Sequence, residues 1–240
     1  MCTAVPSATL VTSRPLDEYC GLFGLTRAAL GRLGGTVLDC PGGAAGLAAE
    51  AGRLGCRVVA VDPLYAVPPL RLVDLARAGR DTMAEAMRTT PRLFAAPRCV
   101  RPEKYLRSWD RARRLFAADR AANPGRYVAA ALPRLPFADG AFALTLSSYL
   151  LFAYPELFGP DKQLAALLEL VRVTDPAGEV RVHPLHDAAG RRCPHLAALR
   201  GALGRRGVAS EIVTVTSAGR ARRVLVLRAA SRRHRPAATA

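Results

Sequence analysis

Two aspartates flank a glycine-rich turn: Asp39 closes the apolar run "TVLD", the turn follows as "CPGGAAG", and Asp62 closes "RVVAVD". Glycines after a strand let the backbone come close to a ligand, and the N-terminus of the next helix offers free N–H groups to it. A carboxylate beside a pyrophosphate would be repelled, whereas one beside an ammonium group would be held, so Asp39 argues for a cationic ligand. Asp62 stands where a carboxylate can accept both hydroxyls of an adenosine ribose. Neither the G-x-G-x-x-G dinucleotide pattern nor the lysine-bearing phosphate loop can be laid on this segment, which disfavours an NAD-dependent oxidoreductase. The plain alternative is turn chemistry, with Asp39 capping the turn and Asp62 opening an Asp-Pro bend.

His183 and His186, in "VRVHPLHD", follow a strand at the edge where ligands gather, and imidazole exchanges protons near neutrality. They are the first candidates for a general base. Cys193 and His195 lie close by, but the prolines at 184 and 194 work against a shared helical face, and no metal site is expected. The six cysteines, Cys2, Cys20, Cys40, Cys56, Cys99 and Cys193, form no CxxC pair and read as thiols of a reducing compartment.

The elements that must position these groups follow from periodicity. A strand from Thr36 to Asp39, a helix over about Ala44–Leu54 and a strand from Arg57 to Asp62 make one βαβ unit. Tyr19, Phe23 and Leu30 turn inward from one or two short helices ahead of it. Residues 66–123 contain two helical stretches, with Leu72, Leu75 and Ala76 on one apolar face and Tyr105, Trp109, Leu115 and Phe116 on the other. This is too long for a plain crossover and is expected to cap the ligand edge as a helical insertion. Further strands are expected at "RYVAAALPRLPF", "AFALTLSSYLLFAY" and "GEVRVHPL", helices at Lys162–Val173 and "HLAALRGALGRRG", and a closing hairpin turning at Ala218 and Gly219. Alternating strands and helices that end on a hairpin define an α/β fold: a doubly wound, mostly parallel sheet. Residues 15–230 are expected to form one domain, with a flexible N-terminus over 1–14 and a disordered basic tail over 231–240.

The chain of 240 residues carries a formal charge of +16. That balance points to a polyanion such as nucleic acid, and an arginine-rich stretch over 98–120 could serve one. Lys104 and Lys162 are its only lysines, however, and arginine with abundant alanine, glycine and proline is what a high-GC coding bias produces. The longest apolar run, 144–154, falls short of the roughly 18 residues a membrane span needs. The N-terminus lacks the charge and apolar core of a secretion signal, so a cytoplasmic location is expected.

Taken in order, "VLDCPGGAAG", "VVAVDPLY", "LPFADGAFALTLSSYLLFAY" and "LLELVRVTDPAGEVRVHPL" resemble the successive motifs of class I S-adenosylmethionine-dependent methyltransferases, over residues 15 to 228. The resemblance implies the Rossmann-like methyltransferase fold with seven strands and S-adenosylmethionine as cofactor. The resemblance does not name the methyl acceptor; a small molecule is expected, with a non-catalytic protein that binds the donor or an anion such as nucleic acid as the alternative. It further implies that Asp39 reaches the donor's amino group while the backbone of Cys40, Pro41, Gly42 and Gly43 passes its carboxylate end. Asp62 takes the ribose hydroxyls, and Pro63, Leu64, Ala131 and Leu132 border the adenine. Ser147, Ser148 and Tyr149 meet the methionine and acceptor, and Tyr19 closes over the donor. The chain departs from the family pattern at Pro41 and Ala45, which stand at glycine positions, at Ala131, where an acid is common, and at Ala143.

Overall fold

The computed structural model describes residues 10–91 and 101–230. Its centre is a seven-stranded sheet in the order β3-β2-β1-β4-β5-β7-β6. The strands are β1 (Val37–Asp39), β2 (Val58–Val61), β3 (Tyr127–Val128), β4 (Phe142–Ser148), β5 (Thr174–His183), β6 (Val208–Ser217) and β7 (Arg220–Ala229). All neighbours run parallel except β7, which is antiparallel to both β5 and β6. This is the doubly wound sheet with a closing hairpin expected from the sequence. The hairpin turns at Ala218 and Gly219, both at positive φ (50° and 71°).

The strands read as unbroken apolar runs because both sheet faces are covered. Val37, Val58, Ala60, Leu144, Val224 and Val226 join one core, with α1 (Leu16–Phe23), α2 (Arg27–Gly31) and α3 (Leu47–Gly52). Their alternate neighbours Leu38, Val59, Val61, Val180, Leu225 and Leu227 join a second core, with α6 (Pro160–Val173) and α7 (Leu196–Gly204). A shift of one residue in any strand would exchange the two sets, so packing fixes the register. Gly35 and Gly178 have no room for a side chain beside Ala143: a β-carbon on Gly35 would lie 2.6 Å from that of Ala143, and one on Gly178 would lie 2.5 Å from its carbonyl oxygen.

Between β2 and β3 stand α4 (Pro69–Thr89) and α5 (Pro102–Ala122). α5 buries Leu106, Trp109, Ala112 and Phe116, the three- and four-residue steps of one helical face. It lies on α3, where a β-carbon at Gly46 would come within 3.2 Å of Ala112. α4 buries Leu72, Ala76, Gly79 and Met87. Of residues expected to be a flexible N-terminus, 10–14 are instead a strap along the molecule, with Val11, Ser13 and Arg14 buried. The reason is a backbone pairing that composition does not display: Thr12 and Arg14 offer their carbonyls to Ala44 N and Gly46 N. Residues 1–9 and the expected tail, 231–240, lie outside the described residues. No helix among the described residues is long and apolar enough to cross a membrane.

The strap passes so close to α4 that a β-carbon at Gly79 would fall 2.1 Å from Val11 O. On an open helix face, glycine to alanine stabilises by about 1 kcal/mol. Here the sign should reverse, and Gly79→Ala is expected to lower stability by about 1–3 kcal/mol through overpacking. Urea midpoints of the two proteins check this.

Candidate functional site

The strand order reverses between β1 and β4, and the crevice outside their carboxyl ends is where open α/β sheets hold ligands. The glycine turn leaves β1 there. Cys40 N donates to Leu146 O (3.0 Å) and Gly42 N to Val61 O (2.8 Å), which ties the turn to the ends of β4 and β2. A side chain at Gly42 has no room, since a β-carbon would meet Tyr65 Oη at 2.3 Å and Ala60 Cβ at 2.8 Å. Gly43 sits at φ +53°, the left-handed region that glycine enters at no steric cost.

Asp62 clamps this turn. Its Oδ2 accepts from Gly43 N (3.0 Å) and its Oδ1 from Leu64 N (2.9 Å), while Tyr65 Oη donates to Gly43 O (2.9 Å). Burial pushes the Asp62 carboxyl above its ordinary pKa, and the two N–H groups oppose that shift. The Asp-Pro bend is therefore real, with Pro63 opening a short 3-10 turn. The same carboxylate nevertheless faces the glycine turn, and a carboxylate has lone pairs beyond the two used here.

Asp39, at the end of β1, is 1% exposed, and Tyr19 Oη donates to its Oδ2 at 2.9 Å. Burial raises its pKa to about 8, against the Tyr19 hydrogen bond and the charge of Arg14. Its Oδ1 finds no hydrogen-bond partner among the described residues, nor do the hydroxyls of Ser147 and Ser148 at the end of β4. Buried side-chain polar atoms are normally paired, so three partnerless ones at a single sheet edge mark a place built for additional polar groups. Tyr149 follows at φ 51°, a costly conformation for a non-glycine residue that clusters at functional sites.

The remaining expected residues divide. Cys40 is buried, with its thiol pushed up by desolvation; Pro41 is half-buried, Leu64 buried and Pro63 exposed. Ala131 is exposed and Leu132 half-buried in the loop after β3, where Ala131 O accepts from Arg134 N. His183 ends β5 with its ring 5.6 Å from that of Tyr149, so it belongs to the same edge. Its Nδ1 lies 3.1 Å from the carbonyl of Arg223, which can only accept, so that nitrogen carries the proton. Burial lowers its pKa to about 4, and as a base it is far weaker than an ordinary histidine. His186 is half-buried, its ring 6.4 Å from that of His183. No group of three metal-binding side chains occurs among the described residues.

Four participants were not read as site residues from the sequence. Arg14 Nε lies 3.3 Å from Glu18 Oε1, and both side chains are buried. Trp109 Nε1 donates to Glu18 Oε2 (3.2 Å), and Tyr105 Oη donates to the same carboxylate (3.1 Å). The i, i+4 spacing of Arg14 and Glu18 was visible, but nothing in it announced burial. Beside Glu18 and Tyr105 opens a cavity of about 290 Å³, bounded also by Glu50, Arg111, Ser217 and Arg222. It lies between α1, α5 and the β6–β7 turn.

No family model matches the chain. Over 185 residues it is 22% identical to an uncharacterized protein of Methanocaldococcus jannaschii, covering 77% of this chain and 81% of that one. Among solved structures, it is similar to a methyltransferase of Pyrococcus furiosus, with 14% identity, 88% of this chain and 81% of that chain covered, and a TM-score of 0.46. It is also similar to magnesium protoporphyrin IX methyltransferase of Synechocystis with bound S-adenosylmethionine (13% identity, 88% and 76% covered, TM-score 0.45). A third is 1,6-didemethyltoxoflavin-N1-methyltransferase of Burkholderia thailandensis with bound 1,6-didemethyltoxoflavin and S-adenosylhomocysteine (20% identity, 84% and 72% covered, TM-score 0.45). At these identities and TM-scores none of the three lends this chain its activity.

Asp39 and His183 give the edge an unusual pH response. His183, lowered from 6.5 to about 4, is neutral in the fold while the unfolded chain protonates, so its contribution is present above 6.5 and is lost as pH falls toward 4. Asp39, raised from 3.8 to about 8, keeps its proton in the fold while the unfolded chain ionises, so its contribution is present below 3.8 and is lost as pH rises toward 8. Over about pH 4–6.5 the Asp39 slope opposes that of His183, and Asp62, whose pKa burial also raises, acts in the same direction as Asp39. Asp39→Asn should remove one opposing slope, so that between pH 4 and 8 stability rises relative to wild type by up to about 1.4 kcal/mol per pH unit. Urea unfolding of wild type and variant across pH 4–8 tests it; parallel curves would contradict these assignments.

Proposed function

We propose that the chain is an S-adenosylmethionine-dependent methyltransferase acting on a small-molecule acceptor. The observation that carries this reading is the pair of buried carboxylates at the carboxyl ends of adjacent parallel strands, with Asp62 bonded to the glycine turn that Asp39 begins. S-adenosylmethionine supplies an activated methyl group on a sulfonium centre. What the protein must add is alignment of acceptor and donor, and a strong base is optional.

In this reading Asp62 accepts from the ribose hydroxyls with the lone pairs its two backbone N–H partners leave free. Asp39 takes the donor's ammonium group, and the arriving positive charge draws its raised pKa back down by favouring the ionised form. Ser147 and Ser148 turn their partnerless hydroxyls to the methionine part, Pro63, Leu64, Ala131 and Leu132 border the adenine, and the ring faces of Tyr149 and Tyr19 suit a cationic centre. His183, neutral and weakly basic, orients groups through its free Nε2 and does not remove a proton at neutral pH. His186 is then the candidate base for a hydroxyl acceptor. α5 of the insertion also walls the cavity against Glu18 and Tyr105, which none of the residues assigned here to donor or base lines. The location proposed with this function is cytoplasmic.

A second reading, a donor-binding protein that transfers nothing, is favoured by Pro41 and Ala45 in the turn and by the strap across it. Incubation with methyl-labelled donor and fractionated cell extract separates the two readings, since only an enzyme labels a fraction.

The decisive variant is Asp62→Ala. Loss of charge-assisted bonds worth about 1.5–3 kcal/mol each should weaken S-adenosylhomocysteine binding by roughly one to three orders of magnitude. The fold should lose about 1–3 kcal/mol as well, because Gly43 N and Leu64 N lose their buried acceptor. Asp139→Ala, at an exposed residue paired with Arg172, is the control expected to bind normally. Calorimetric titration of folded Asp62→Ala with unchanged affinity would refute the reading.

A further inference from the structure

The strap of residues 10–14 meets the ligand edge at two levels. Along the backbone, Thr12 O accepts from Ala44 N (3.0 Å) and Arg14 O from Gly46 N (2.9 Å), so carbonyl oxygens of the chain occupy N–H groups of the glycine turn that would otherwise face a ligand. At the side chain, the Arg14 guanidinium lies 4.1 Å from the ring centre of Tyr149 and 5.8 Å from that of Trp109, with the Glu18 carboxylate 3.3 Å from its Nε. Aromatic faces and a desolvated carboxylate are the surroundings that hold a cation. Glu18 is itself fixed by Tyr105 and Trp109, both from α5. This seat is a built one.

We propose that residues 10–14 are an in-cis occupant of the ligand edge, with Arg14 as its latch, and that the strap must leave before a ligand reaches the glycine turn. The identity of that ligand rests on the function proposed above; the latch does not. The polar balance at the edge agrees with an occupant that can be exchanged. The strap satisfies backbone donors but leaves Asp39 Oδ1, Ser147 Oγ, Ser148 Oγ and its own Ser13 Oγ and Arg14 Nε without hydrogen-bond partners among the described residues. An incoming molecule rich in hydroxyl and ammonium groups can pair what the strap cannot.

The test is native-state hydrogen exchange by NMR on the full chain, read at the amides of Ala44 and Gly46 against the core amides of β2 and β4. Arg14→Ala is expected to speed exchange at Ala44 and Gly46 about tenfold or more, the scale of a desolvated cation–π contact, with Arg14→Lys intermediate and the core amides unmoved. Because Arg14→Ala leaves Glu18 buried without its cation, the double variant R14A/E18Q keeps the test open if the single one unfolds. Unchanged exchange at Ala44 and Gly46 in the folded double variant would overturn the latch. In a second arm the probe is S-adenosylhomocysteine, which should bind Arg14→Ala about tenfold more tightly than wild type and should deprotect the amide of Leu10, which donates to Tyr154 Oη while the strap is seated. Binding that leaves that amide protected would also overturn the proposal. If exchange rises as expected but neither protein binds the probe, the latch stands and the methyl-donor reading fails.

Discussion

The bond from Gly43 N to the Asp62 carboxylate is the constraint on which the ligand edge depends. It joins the turn after β1 to the end of β2, and Tyr65 reinforces it by donating to Gly43 O. Tyr65 in turn packs against Phe116 and Tyr127 at ring separations of 6.0 and 5.5 Å, and Arg120 of α5 donates to its carbonyl. One carboxylate thus connects turn, sheet and insertion. Its desolvation cost is offset by two backbone N–H partners, without which a buried ionised group would not be sustained.

The fold was legible from the sequence because its signal is local. Unbroken apolar strands separated by helical periods define a doubly wound sheet, and an Ala-Gly turn between two β-branched runs defines the hairpin. Asp39, Asp62 and the glycine turn were also legible, since residue type and strand-end position coincide in them. The strap was not. Val11, Thr12 and Arg14 are held by contacts with residues far along the chain, and no local pattern distinguishes a buried five-residue extended segment from a free terminus. His183 shows a related limit: its place at a strand end was readable, but its loss of basicity comes from burial, which depends on Tyr149 and β7.

The arginine excess also reads differently once side chains are placed. Arg172 ties the loop after β3 to α6, reaching Glu169, Asp139 and the carbonyls of Leu135 and Phe137. Arg181 reaches Phe23 O of α1, and Arg14 and Arg120 lie over aromatic rings. A guanidinium suits such positions because its planar fork donates to several carbonyls and stacks on rings. Part of the charge that pointed to a polyanion therefore works inside the fold, which weakens net charge as evidence for a nucleic-acid partner.

The two halves of the edge are stabilised by different means, and this bears on how the molecule can respond to a ligand. The turn is rigid because its N–H groups are bonded to β2, β4, Asp62 and the strap. The strand ends contribute buried side-chain oxygens with no partner among the described residues, and each such group costs about 1–3 kcal/mol relative to a paired one. A state that retains several of them is favoured only while no better partner is present. In the proposed exchange, binding energy at this edge would come chiefly from pairing Asp39, Ser147 and Ser148, set against the cation–π and ion-pair contacts of Arg14 that a ligand would replace.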